Sequence, residues 1–140
     1  TRKMKDENFI VTIEKDKDGT FIAYNVDESP YTLIGRGATV KEAKEDFANS
    51  MQEVKESEEK REGAAAPILA AAPVFRFDLP SLFEYYSMLN VSAFARYLGI
   101  NETLMRQYKK GNTYISDLQL QKIEDGLHRL GADFLGLRLV

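Results

Sequence analysis

The chain has 140 residues and a net charge of −3, with 44% apolar and 29% charged side chains, the balance of one globular domain or two small ones. No cysteine and a single histidine, His128, are present, which excludes disulfides, thiolate metal sites, cysteine nucleophiles and multi-histidine centres. No run reaches the roughly 20 apolar residues of a membrane span, and the acidic balance taken whole disfavours nucleic acid.

The start, Thr1 to Asn8, is polar and mixed in charge, so no targeting signal and a cytoplasmic location are expected. Phe9, Val11 and Ile13 alternate with Ile10, Thr12 and Glu14, the period of a strand. The polar run Lys15 to Gly19 interrupts it, and Thr20 to Asn25 resumes it, so the two strands read as a β-hairpin. Ser29-Pro30 marks a turn, and Tyr31 to Ile34 makes a third strand ahead of Gly35-Arg36-Gly37.

Thr39-Val40-Lys41-Glu42 has the form of a capping box, with Glu42 reaching back to the N–H of Thr39. Val40, Ala43, Phe47, Met51 and Val54 follow as one apolar helical stripe, suited to cover a small sheet. Lys55 to Glu62 is almost wholly charged, and the helix is expected to run into solvent there. Gly63 to Pro73, rich in alanine and proline, reads as a linker or an ordered loop and a poor core element. Val74 to Phe77 returns a fourth strand.

From Pro80 onward the pattern is helical. Ser81-Leu82-Phe83-Glu84 has the form of a second capping box, opening a helix through Leu89. Ser92 is expected to cap Ala93 to Leu98, ended by Gly99, and Asn101 to cap a helix through Lys110, ended by Gly111. Leu120, Ile123, Leu127 and Leu130 form the inward stripe of a last helix, stopped by Gly131. Leu135, Leu137 and Leu139 then alternate as a terminal strand, either a dimer-forming edge or packing within the subunit.

The residues with functional content lie between Val91 and Gly111. Ala95 is small where two helices approach, Gly99 permits a tight inter-helix turn, and Leu98, Ile100, Met105 and Tyr108 supply buried contacts. This is the spacing of a helix-turn-helix, which presents its second helix to the DNA major groove. With Leu104, Met105 and Tyr108 inward, Thr103, Arg106, Gln107 and Lys110 line the opposite face, and Lys109 adds charge. Arg and Gln suit guanine and adenine edges and Lys suits phosphate. Ser92 and Asn101, at helix N-termini, are placed to hold phosphates through exposed amides. A plain helical hairpin with a polar outer face fits the same spacing, and Glu102, which repels phosphate, favours it.

The charge divides unevenly. Residues 1–62 carry a net −4 and residues 63–140 a net +1, while residues 92–111 hold Arg96, Arg106, Lys109 and Lys110 against Glu102. A modest basic face of this kind is compatible with salt-sensitive DNA binding.

Other motifs are weaker. Asp16-x-Asp18-Gly19 opens like a calcium loop but lacks the later ligands, and a hairpin turn accounts for it. Gly35-x-Gly37 lacks the remaining residues of a phosphate cradle, although Arg36 is placed to meet an anion or a partner. His128 falls outside its leucine stripe and is expected to be exposed. No carboxylate pair is spaced for acid–base work, so neither catalysis nor a metal or cofactor is expected.

The run from Phe9 to Glu56, with its hairpin, Gly-rich approach, Thr-x-x-Glu cap and Ala/Phe-bearing helix, resembles the HicB antitoxin family. LNVSAFARYLGINETLMRQYKKGN and LQKIEDGLHRLG, further on, resemble the Cro/repressor-type helix-turn-helix of many members. The resemblance implies an α+β chain. Residues 1–78 would be a small antiparallel sheet with one covering helix, like a partial ribonuclease H without nuclease residues. Residues 79–140 would be an all-α helix-turn-helix domain with a terminal strand. It further implies that the first domain binds and masks a small RNA-cleaving toxin of the HicA type. The second would bind operator DNA, as a homodimer or higher oligomer. Carried over by position, Asn101, Thr103, Arg106, Gln107 and Lys110 would read DNA. The alternatives are a solitary transcriptional regulator whose N-terminal half binds another partner, and an RNA-processing enzyme, which the missing metal ligands disfavour.

Overall fold

The structure is a computed structural model that describes residues 9–25 and 31–140. The expected turn at Ser29-Pro30 and the start Thr1 to Asn8 lie outside the described residues. The chain divides into two compact units, Thr1–Ser87 and Met88–Val140. Among the described residues it is α+β, with one four-stranded sheet and five α-helices, none long and apolar enough to cross a membrane.

In the first unit β1 (Phe9–Lys15), β2 (Phe21–Asn25), β3 (Ile34–Gly37) and β4 (Pro73–Phe77) stand in the order β3-β2-β1-β4. The hairpin between β1 and β2 turns on Asp18, whose carboxylate accepts from both the N–H and the hydroxyl of Thr20, and on Gly19 in the left-handed region. Phe9, Val11, Ile13, Phe21 and Ala23 are buried. They alternate onto the face covered by α1 (Val40–Glu62), whose Val40, Ala43, Phe47 and Met51 meet them. Thr39 accepts from the Glu42 N–H at 3.1 Å. Glu42 reaches back to the N–H of Ala38 rather than to that of Thr39.

Two features of the sheet correct the sequence reading. It is mixed, not antiparallel, because β4 runs parallel to β1, with Val11 opposite Phe75. The third strand is Ile34–Gly37 and so includes the Gly-Arg-Gly that reads as its end. Glycine is needed there for close approach. A Cβ on Gly35 would lie 2.3 Å from the Phe47 nitrogen, and one on Gly37 would lie 2.4 Å from Glu42 Cβ. The missing side chains let α1 rest on the strand backbone itself.

Residues 63–73 are ordered. A 3-10 turn at Pro67–Ala70 buries Leu69 in the core, and the Ala66 N–H donates to Glu58. This stretch therefore contributes to the core after all. After β4 comes α2 (Leu79–Tyr85), capped by Asp78 rather than Ser81. Asp78 also accepts from the Lys15 N–H at 3.0 Å, tying the helix start to the end of β1. Ser81 is buried inside the helix, and Glu84 accepts from the N–H of Val40, 44 residues away. Neither forms the expected capping box. Leu79, Leu82 and Phe83 are buried, and α2 packs on β1, β4 and α1. The division accordingly falls after Ser87 rather than after residue 78.

The second unit holds α3 (Val91–Leu98), α4 (Glu102–Lys110) and α5 (Asp117–Gly136). Ile123 of α5 is buried, and Gly126 lets the helix close on Leu98 of α3. His128 is exposed. The helix does not stop at Gly131 but continues to Gly136, and Leu137–Val140 forms no strand. Gly131 weakens a helix by about 1 kcal/mol relative to Ala but does not end it, and Phe134 continues the helical stripe.

Candidate nucleic-acid interface

The turn between α3 and α4 is set by its backbone. Gly99 adopts φ 74, where a Cβ would be strained, and its N–H returns to the carbonyls of Ala95 and Arg96. The N–H of Ile100 also reaches the Ala95 carbonyl, at 2.9 Å. Asn101 then caps α4, its side-chain oxygen accepting from the Leu104 N–H at 2.9 Å. Beneath the turn Ala95, Leu98, Ile100, Met105 and Tyr108 are all buried, as the spacing requires. Gln119 of α5 lies against the Tyr108 hydroxyl.

With Met105 and Tyr108 facing inward, Thr103, Arg106, Gln107, Lys109 and Lys110 are exposed. Arg106 is positioned rather than free. Its Nη1 donates to the Ser92 hydroxyl at 2.8 Å and its Nη2 to the Thr103 hydroxyl at 3.1 Å. Gly111, left-handed after the last turn, ends α4 just beyond the two lysines.

Two expectations change. The cap of α3 is Asn90, which accepts from the Ala93 N–H, so Ser92 is the second helical residue and binds Arg106 instead of capping. Asn101 does cap its helix, but that bond occupies its side-chain oxygen. The acidic tip is also altered by its neighbours. Arg96 donates to Glu102 at 2.9 Å, and Arg106 Nη1 lies 3.9 Å from it. The bond from Arg96 holds the Glu102 carboxyl below its usual range. It stays ionised and is neutralised locally. Arg96 is the residue that sequence spacing passes over, because it reaches Glu102 across the turn rather than at an i, i+4 interval.

The surface is thus a short helix with a row of exposed donors, one arginine held by two hydroxyls, and an internally paired glutamate. Hydrogen-bond donors and positive charge in this arrangement suit base edges and phosphates. Comparisons with protein-family models, with curated proteins and with solved structures found no match.

Proposed function

We propose that the chain is a non-catalytic, cytoplasmic antitoxin and repressor of the HicB type. The second unit is read as a helix-turn-helix that binds operator DNA through α4. Thr103, Arg106 and Gln107 meet base edges, and Lys109 and Lys110 meet phosphates. The observation that carries this is the contrast within α4, where Met105 and Tyr108 are buried and Thr103, Arg106, Gln107 and Lys110 are exposed. Residues 88–140 carry seven basic and five acidic side chains, a polarity that supports contact with phosphate.

The first unit is read as the partial ribonuclease H-like part that masks a HicA-type toxin. Residues 1–87 carry 12 basic and 17 acidic side chains, which suits a basic RNA-cleaving partner. It needs no cofactor.

Gel shifts with duplex DNA from the region upstream of the chain's own coding sequence test the first assignment. Arg106→Ala with Gln107→Ala is expected to abolish binding, each contact being worth about 1–3 kcal/mol. Unchanged affinity removes α4 from the interface. Residues 1–87 are expected to co-purify with the small basic product of the adjacent gene. A chain that binds DNA but captures no toxin is instead the solitary regulator.

A further inference from the structure

Ser92 and Arg96 stand one turn apart on α3, and Glu102 and Arg106 stand one turn apart on α4. The four side chains meet across the turn at Gly99. Arg96 Nη1 donates to Glu102 Oε2 at 2.9 Å, and Arg106 Nη1 lies 3.9 Å from Glu102 Oε1, so each carboxylate oxygen has a guanidinium beside it. The hydroxyls of Ser92 and Thr103 accept from Arg106 as well. All three charged groups reach solvent: the side chains of Arg96, Arg106 and Glu102 are 62%, 50% and 38% exposed. The helix dipole favours an acid in the first turn of α4, which accounts for Glu102 but not for Arg96 crossing from α3 to reach it. Nor is the pair a firm strut for the turn, because exposed ion pairs are weak and screened by salt. Carboxylate and phosphate offer a guanidinium the same target, two oxygens that share negative charge. Here two positive charges flank one negative, and the cluster still attracts a further anion.

We propose that Arg96 is a further phosphate-contacting residue, and that the Glu102 carboxylate stands in for the DNA phosphate in the free protein. A duplex phosphate takes the place of Glu102 on Arg96, on the helix that crosses the backbone in a helix-turn-helix. Arg106 keeps its bonds to Ser92 and Thr103 and stays directed to base edges. Glu102 is thus an internal competitor. It lowers the affinity for duplexes of every sequence alike, because what it competes with is backbone and not bases. The inference rests on the reading of α4 as the DNA-facing helix.

Fluorescence anisotropy with the full chain tests it between about 50 and 200 mM salt. Two duplexes of equal length serve as probes, one from the region upstream of the chain's own coding sequence and one of random sequence. Glu102→Gln, which keeps the shape and removes the charge, is expected to tighten binding to both by about tenfold and to steepen the salt slope by about 1. Arg96→Ala is expected to weaken binding to both and to flatten the slope by about 1. Arg96→Lys, which keeps the charge, should restore that slope. Most of the gain from Glu102→Gln is expected to vanish when Arg96→Ala is added. A gain of full size without Arg96 would overturn the proposal, leaving general repulsion. So would a loss confined to the upstream duplex, which makes Glu102 a base-reading residue. Unchanged affinity of Glu102→Gln with a lowered melting temperature would assign the pair to the turn instead. A wild-type chain that binds neither duplex ends the DNA reading and this inference with it, whereas wild-type binding that ignores every change at 96 and 102 ends this inference alone.

Discussion

The two units close their cores differently. In the first, α1 rests on bare strand backbone at Gly35 and Gly37, and a parallel strand from far along the chain completes the sheet. In the second, three helices meet through side chains, and the one close approach, at Gly126, is against the flexible end of Leu98. A backbone contact has no room to relax, whereas a side chain can change rotamer. The same kind of substitution therefore has different costs in the two units.

Gly35→Val should have the largest effect. Its side chain would enter the space of the Phe47 nitrogen and the Ala43 carbonyl, at a cost of about 3 kcal/mol or more. Amide hydrogen exchange should show lost protection in the first unit and normal protection in the second. Equal loss in both would erase the contrast. Gly126→Ala should change stability by less than about 1 kcal/mol, because the helix propensity it gains offsets the displacement of Leu98. Urea denaturation checks this, and a loss as large as that at Gly35 would mean that Leu98 cannot move.

The smallest effect belongs to a half-buried pair in the first unit. Tyr31 donates to Glu58 at 2.5 Å, and this bond, with a second from the Ala66 N–H, lowers the Glu58 pKa. The resulting stability is present above the ordinary glutamate value of about 4.3 and is lost as pH falls through the lower folded value. The same bond raises the Tyr31 pKa, so its contribution is present below about 10 and is lost as pH rises through the higher folded value. Tyr31→Phe should therefore lower the urea midpoint slightly at neutral pH and leave it unchanged at the acid and alkaline extremes. A uniform drop at every pH would assign the effect to packing.

The contrast also explains what was legible in the sequence. Apolar stripes and glycine stops are side-chain patterns, so the buried set Ala95, Leu98, Ile100, Met105 and Tyr108, the turn at Gly99 and the cap at Asn101 could all be read from spacing. The exposure of Arg106 and Gln107 followed from the same wheel. A third strand was expected, but its extent over Ile34–Gly37 could not be read, because its glycines look like punctuation until a helix is seen lying on them. Parallel pairing of β4 was hidden as well, since Phe75 and Phe77 alternate alike in either direction. Caps were misplaced by two or three residues where several candidates crowd together, as at Asp78 and Ser81 or Asn90 and Ser92. The end of α5 was misread because three alternating leucines resemble a strand, although Phe134 and Leu137 continue the helical period.

The place of β1 in the sheet also matters for synthesis. It lies between β2 and β4, yet β4 is translated only after β3 and the whole of α1. Until Pro73–Phe77 leaves the ribosome, one side of β1 is an open edge bearing Phe9, Val11 and Ile13, the kind of edge that recruits foreign strands. The nascent first unit therefore passes through an interval in which its future centre is its most aggregation-prone border. Slowing translation between Glu62 and Pro73 should lengthen that interval and lower the soluble yield without altering a single residue.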